Sequence, residues 1–98
     1  MNDVHETYAA LIVQFLAREL TVDEFQRTFL QQFKRETRTM DDVSFALLDE
    51  LFGDTDSYTR DRELLAEAPE FYLDEAGLRF KAEQTLRRMK ALVLRAPA

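Results

Sequence analysis

The stretch TVDEFQRTFLQQFK, Thr21–Lys34, carries a complete set of signals for an amphipathic α-helix. Thr21 has the position of an N-cap, and Glu24 three residues later can close a capping box with it. The residues of its apolar face recur at every fourth position: Phe25, Phe29 and Phe33. Because this spacing matches the helical repeat, the stretch predicts a helix that begins after Thr21 and ends in the polar run 34–39.

Three further helices are predicted by the same periodicity on both sides of this stretch. The first runs from Val4 to Glu19. The third begins at Thr39, whose hydroxyl would cap it, and ends where Gly53 follows the last apolar residue. The last begins at Asp74 and continues to the C-terminus. The predicted apolar faces of these helices are Tyr8, Leu11, Ile12, Phe15 and Leu16; Val43, Leu47, Leu48, Leu51 and Phe52; and Leu78, Ala82, Leu86, Met89 and Val93.

The chain as a whole is predicted to be all-α. It has 98 residues, two glycines, two prolines and no cysteine, and its apolar residues do not alternate as they would in strands. This length predicts a single domain over residues 1–98 and leaves no room for a second one. We expect a small antiparallel four-helix bundle, up and down, with an acidic loop and a short helical turn at Arg62–Glu67 between the third and fourth long helices.

The stretch LFGDTDSYTRD, Leu51–Asp61, has three aspartates and invites an enzymatic interpretation. A calcium loop starting at Asp54 would need an oxygen ligand at position 58, glycine at 59 and glutamate at 65, and none of these is present. A phosphatase with Asp54 as nucleophile would need a preceding buried strand, whereas the sequence predicts a helix there. Neither activity is therefore predicted.

Other catalytic or cofactor sites are not predicted either. The single histidine, His5, is expected to be solvated on the polar side of the first helix. The adjacent carboxylates Asp49 and Glu50 would point to different sides of a helix, which does not suit a metal site. No glycine-rich phosphate loop is present in the sequence. We therefore predict a protein without enzymatic activity, metal or cofactor.

The charge distribution is strongly polarised. Residues 41–75 contain 12 acids and 2 bases, a net charge of −10, while the rest of the chain carries +4. An acidic field of this kind accelerates encounter with a cationic partner and repels nucleic acid, although such runs also serve solubility alone. Asp3 and Glu6 stand where a signal peptide would be basic, and no apolar run is long enough for a membrane span. A cytoplasmic protein is expected.

Three segments carry a resemblance to a known family: LIVQFLARELTVDEFQRTFLQQFK, LLDELFGDTDSYTRDREL and LDEAGLR. They resemble the colicin D immunity proteins, a group of bacterial self-protective colicin-like immunity proteins. The resemblance implies a four-helix bundle that blocks the C-terminal nuclease domain of a tRNA-cleaving toxin with an acidic surface in place of RNA phosphates. The positions that match the family pattern are Asp49, Phe52, Asp56, Tyr58, Asp61, Asp74, Glu75 and Leu78.

The toxin-binding residues are expected between Asp49 and Glu63. The candidates are Asp49, Glu50, Asp54, Asp56, Tyr58, Asp61 and Glu63. Tyr58 could instead pack under the loop, and Asp61 could cap the short helical turn. Asp74 and Glu75 favour a helix N-terminus, so a capping role is predicted for them. A different function, that of an acidic adaptor binding another basic protein, stays open at this point.

The number of large aromatic residues also bears on assembly. Phe45, Phe71, Tyr72 and Phe80 exceed what one small core is expected to hold. A monomer with a large partner interface, or a weak dimer, would account for them.

Overall fold

The computed structural model describes residues 4–95 of the chain, and the side chains of residues 4–92. This part contains five α-helices, which are α1 (Val4–Leu16), α2 (Val22–Lys34), α3 (Asp42–Asp56), α4 (Arg62–Glu67) and α5 (Glu75–Arg95). Residues 4–95 include no strand beyond an isolated bridge between Tyr58 and Leu73. The predicted all-α class is confirmed. The predicted side-chain role of Val93 lies outside the described residues.

The four long helices enclose one apolar core. Helix α1 contacts α2 and α5, and α3 contacts the same two helices, so the four close a ring. The largest fully buried apolar side chains are Tyr8, Phe15, Phe25, Phe29, Ile12, Leu48, Leu51 and Leu78. A four-helix arrangement is consistent with these contacts, and the up-and-down order of the helices stays a prediction.

Phenylalanines meet at the centre of this core. The Phe15 and Phe25 rings stack with centroids 4.2 Å apart, and Phe29 stacks on Phe25 at 5.5 Å. The Arg79 guanidinium lies over the Phe15 ring at 4.3 Å and donates a hydrogen bond to the Phe15 carbonyl. These contacts join α1, α2 and α5 through aromatic side chains.

The start of α2 follows the sequence prediction. The Glu24 backbone N–H donates to the Thr21 hydroxyl at 3.1 Å, and the Thr21 N–H donates to the Glu24 carboxylate at 2.8 Å. Both bonds of the capping box are thus present. The Asp61 cap of α4 and its bounds, Arg62–Glu67, are also as predicted. Asp74 accepts a hydrogen bond from the Gly77 N–H at 2.8 Å, which confirms its role at the start of α5.

The loop after α2 is fastened to the core by a polar network. The buried Tyr8 hydroxyl donates to Glu36 at 2.8 Å, and the Arg38 guanidinium donates to the same carboxylate. The Arg38 hydrogen bonds lower the pKa of Glu36 to about 2, because they stabilise its ionised form. Burial raises the pKa of Tyr8, with the nearby Glu36 as a further cause.

Two helix boundaries differ from the prediction. Helix α1 ends at Leu16 rather than Glu19, because Arg18 adopts a left-handed conformation with φ of 64°. Helix α3 begins after Asp41 rather than Thr39. The Asp41 carboxylate accepts from the Ser44 N–H at 3.1 Å and from the Ser44 hydroxyl at 2.6 Å, so it satisfies the first turn directly.

The prediction that Gly53 ends α3 is wrong. Gly53 has no positive φ, and the helix continues to Asp56 with Ser57 as its C-cap. Thr55 is fully buried, so the core face of α3 extends one turn beyond the glycine. The Gln26 side chain of α2 donates to the Thr55 carbonyl at 3.1 Å, which satisfies one of the last carbonyls of the helix.

The buried face of α3 is also rotated from the predicted one. Val43 is 53% exposed, and Ser44 is buried in its place. Ser44 is tolerated there because its hydroxyl is hydrogen-bonded to Asp41. Phe52, predicted to belong to the core, is half-buried at its edge. The core stripe of α3 is therefore made by Leu47, Leu48, Leu51 and Thr55 with Ser44.

Candidate protein-binding surface

The seven predicted contact residues lie on two helices and the segment between them. Asp49, Glu50, Asp54 and Asp56 all belong to α3, so Asp54 and Asp56 are helical and not part of a loop. Tyr58 follows α3, Asp61 caps α4, and Glu63 lies in the first turn of α4. A rigid helix therefore carries four of the seven candidates.

An outward face of α3 lies opposite its buried stripe. We define this face by the exposed residues Asp42, Ala46, Asp49, Gly53 and Asp56. The three aspartates are seven residues apart, which is two helical turns and about 10.5 Å along the axis. Asp49 and Asp56 make no hydrogen bond or ion pair with another described residue. Folding therefore does not account for their charges.

Glu50 and Asp54 lie on the side of α3 that faces α5. The Glu50 carboxylate accepts from the Arg88 guanidinium at 2.9 Å in an exposed ion pair. Asp54 is half-buried near Lys81, and its carboxylate has no hydrogen bond from any described residue. Burial raises the pKa of Asp54, Lys81 opposes this shift, and Glu50 adds to it.

The position of Asp54 is unfavourable for the isolated protein. Partial removal from water penalises the ionised carboxylate, and only a neighbouring cation offsets this penalty. Perturbed carboxylates of this kind concentrate at functional sites, although ion-pair networks produce them too. The role of Asp54 as a contact residue stays a prediction.

Tyr58 and Asp61 have structural tasks. The Tyr58 ring is half-buried against the core. The backbone on either side of it pairs with Leu73: the Thr59 N–H donates to the Leu73 carbonyl, and the Leu73 N–H donates to the Ser57 carbonyl. Asp61 accepts from the Glu63 N–H at 2.9 Å as the cap of α4. Both residues therefore stabilise the segment between α3 and α5.

Glu63 has a different environment from these two residues. Its side chain is exposed in the first turn of α4, where the helix dipole favours a negative charge. It makes no side-chain hydrogen bond or ion pair within the described residues. Its carboxylate is thus available on the surface, and its role as a contact stays a prediction.

An aromatic edge beside the outward face was not predicted as part of the site. The Phe33 ring of α2 lies 5.8 Å from Phe45 and 5.6 Å from Phe52, both on α3. Phe45 is 50% exposed, and the Lys34 ammonium lies 6.0 Å from the Phe52 centroid. The available signal was that Phe45 falls off the apolar stripe of its helix. The edge places an accessible aromatic ring next to unpaired carboxylates.

The environment of His5 differs from its predicted one. His5 is half-buried, and its Nε2 lies 2.5 Å from the Ser44 hydroxyl, which itself donates to Asp41. In this order the serine stands between the histidine and the carboxylate, so the histidine is not placed to take the hydroxyl proton for nucleophilic attack. The arrangement ties α1 to the start of α3.

The described part of the chain also bears on metal binding and on membrane insertion. Within residues 4–95, no group of three or more histidines, cysteines or carboxylates has the arrangement of a metal site. No helix in the same part is long and apolar enough to cross a membrane. The carboxylates of α3 are therefore spread along a surface and are not gathered around a point.

The family comparison matches nearly the whole described chain. The model of the family described as "Bacterial self-protective colicin-like immunity" matches residues 4–89. The chain belongs to this colicin-like immunity family. No curated protein and no solved structure matches the chain. The description of the family points to a role in bacterial toxin immunity. The all-helical fold is the class that the resemblance to this colicin-like immunity family implies.

Proposed function

We propose that this protein binds and inhibits a cognate nuclease toxin, a tRNA-cleaving enzyme of the colicin D type. It would cover the toxin's cationic active site with an acidic surface in place of RNA phosphates. The observation that carries the proposal is the pair Asp49 and Asp56. Both point outward from α3, and neither has an internal partner among the described residues. In a colicin-like immunity protein, such unpaired charges are suited to an external partner.

The mechanism is occlusion. A nuclease holds the phosphates of its RNA with lysine, arginine and histidine side chains, and carboxylates can pair with the same groups. Because α3 is packed along its length, the backbone that carries its carboxylates is fixed before binding, which lowers the entropy cost of association. The field from residues 41–75 speeds the encounter with a cationic domain. Bound in this way, the immunity protein would exclude tRNA from the active site.

The proposed contacts divide by their internal roles. Asp49, Asp54, Asp56 and Glu63 lack an internal hydrogen-bond partner for their carboxylates within the described residues, so they are the primary contact candidates. Glu50 can contribute at the rim by exchanging Arg88 for a toxin cation. Tyr58 and Asp61, discussed above, hold the segment that follows α3 and complete the proposed surface. The protein would act in the cytoplasm, where tRNA must be protected.

The direct test is an inhibition assay with purified components. The probe is the C-terminal nuclease domain of the toxin encoded beside the gene for this chain, incubated with tRNA and increasing amounts of the immunity protein. We expect cleavage to stop at a one-to-one ratio, with no effect on a tRNA-cleaving domain of unrelated lineage. Cleavage that continues in the presence of excess folded protein would contradict the proposal and favour an adaptor for another basic protein.

A further inference from the structure

Gly53 lies in the last turn of α3, and neither its backbone conformation nor its packing requires a glycine. Its backbone has no positive φ, so the conformation does not require glycine. A Cβ built at this position would meet no atom within 4 Å, so internal packing does not require it either. Glycine weakens a helix interior relative to alanine. A glycine that folding does not need leaves the helix backbone open to close approach by a partner.

The neighbours of Gly53 define what can approach. Asp49 and Asp56 lie one turn before and one turn after it on the same face, because residues three and four apart are adjacent on a helix. Phe52 precedes Gly53 and continues through Phe33 to the half-exposed ring of Phe45. We call these five positions on α3, Phe45, Asp49, Phe52, Gly53 and Asp56, the α3 notch. It combines an open backbone floor, two unpaired carboxylates and an aromatic edge.

The α3 notch differs in charge from the groove beside Phe80, another exposed aromatic residue. Phe80 is 57% exposed, but its groove holds three cations, Arg79, Arg87 and Lys90, against one carboxylate, Glu83. A cationic partner would be repelled there and attracted at the α3 notch. Phe45 therefore suits a basic partner better than Phe80 does.

We propose that the α3 notch holds an arginine side chain of the toxin, whose guanidinium lies over Gly53 between the two aspartates. This inference rests on the proposed function. Guanidinium is planar, pairs bidentately with carboxylates and stacks on aromatic rings. A lysine ammonium lacks the planar fork and is more strongly hydrated. The absence of a Cβ at Gly53 lets the flat group reach the helix backbone, and Phe45 borders its stem, while the Lys34 ammonium already lies 6.0 Å from the centroid of Phe52.

The test uses substitutions that fill the notch without harming the helix. Gly53→Ala should raise the melting temperature by roughly 3–8 °C, because alanine and leucine are better helix formers than glycine. The same change should weaken binding of the nuclease domain about tenfold, and Gly53→Leu by about 100-fold or more. Ala10→Leu adds comparable bulk to an exposed position of α1 and serves as the matched control. Opposite signs for stability and affinity would separate a binding defect from a folding defect.

A second pair of variants examines the aromatic edge. Phe45→Ala should weaken binding about tenfold, whereas Phe80→Ala, at a similarly exposed ring, should leave it unchanged. The occupant is tested by changing the exposed arginines of the nuclease domain to lysine one at a time. One of these variants should lose most of its sensitivity to Gly53→Leu, as expected for a coupled pair.

The outcomes separate the two proposals. If the unmodified protein binds the nuclease domain and the Gly53 and Phe45 variants bind equally well, the notch is not the contact and the inference is overturned. If binding is weakened but no arginine variant couples to Gly53, the proposed occupant is wrong. If the unmodified protein does not bind at all, the proposed function fails, and with it the inference that depends on it.

Discussion

Charge reversal on the outward face of α3 should separate binding from folding. The variant carries Asp49→Lys and Asp56→Lys, which changes the net charge from −6 to −2 because each substitution adds two positive charges. Neither carboxylate has an internal partner among the described residues, so no native ion pair is lost. Asp54 is left unchanged because a lysine there would be placed near Lys81.

The expected effect on stability is small. Two charges about 10.5 Å apart interact by about 0.4 kcal/mol in water before salt screening. Reversing both keeps them alike, so this interaction barely changes, and exposed substitutions of this kind shift the free energy of unfolding by about 0.5 kcal/mol or less. The melting temperature should therefore stay within about 4 °C of its original value.

The expected effect on binding is large. If each aspartate contacts a toxin cation, replacing one aspartate by lysine costs about 1–2 kcal/mol of binding free energy. The two replacements together then lower the affinity about 30- to 1,000-fold. Part of this loss should appear as slower association at low ionic strength, because the steering field is reduced. The difference in association rate should shrink as salt is added.

The assay is stopped-flow association of the nuclease domain at low and high salt, together with thermal melting. Glu19→Lys with Glu83→Lys is the matched control, since it makes the same change in net charge at exposed positions away from α3. Its only described side-chain loss is the exposed Glu83–Arg87 pair, worth about 0.3–0.5 kcal/mol. Equal affinity losses in both variants would show that only net charge matters, and they would refute a defined contact on α3.

Three further predictions concern individual residues. Tyr8→Phe should lower the free energy of unfolding by about 1–3 kcal/mol in thermal melts at neutral pH, since it removes a hydrogen bond to a charged group; an unchanged melt would contradict this. The pKa of Glu36 is lowered from 4.5 to about 2, so its ionised form stabilises the fold fully above pH 4.5, and this stabilisation is lost as the pH falls toward 2. Glu36→Gln should therefore make the stability fall less steeply with acid, as measured by acid unfolding followed by circular dichroism. Asp54→Asn should raise the melting temperature at neutral pH and weaken toxin binding. The raised pKa of Asp54 means that its ionised form destabilises the fold, so a lower melting temperature would contradict this prediction.

Local signals predicted the parts of the fold that local interactions decide. The capping box of Thr21 and Glu24 needs only four consecutive residues, and both of its hydrogen bonds are present. The cap at Asp61 and the bounds of α4 are likewise set within one turn. Such features follow from sequence because the donor and the acceptor are neighbours in the chain.

Tertiary contacts decided the features that sequence reasoning missed. Gly53 is a strong local stop signal, but the buried Thr55 and the Gln26 bond to its carbonyl carry α3 one turn further. Val43 is apolar and regularly spaced, yet the start of α3 is oriented by Ser44, which bonds to Asp41 and His5. These partners come from other helices or depend on the rotation of α3, so periodicity alone could not reveal them.

The candidate site was predicted in part. Sequence charge pointed to residues 41–75 as a surface, and the α3 carboxylates lie there. It could not separate Asp49 and Asp56, which have no described partner, from Glu50, which pairs with Arg88 38 residues away. The aromatic edge was missed as a site because the contact between Phe33 and Phe45 depends on how α2 packs against α3.

The measurement that tests the central claim most directly is co-expression of this protein with the nuclease domain encoded beside its gene. Survival of the cells and intact tRNA would be scored together, with a tRNA-cleaving toxin of unrelated lineage as the control. We expect rescue from the neighbouring toxin alone and loss of rescue in the Asp49→Lys, Asp56→Lys variant, with folded protein present in both. Death of cells that contain folded, unmodified protein together with the active neighbouring toxin would contradict the account.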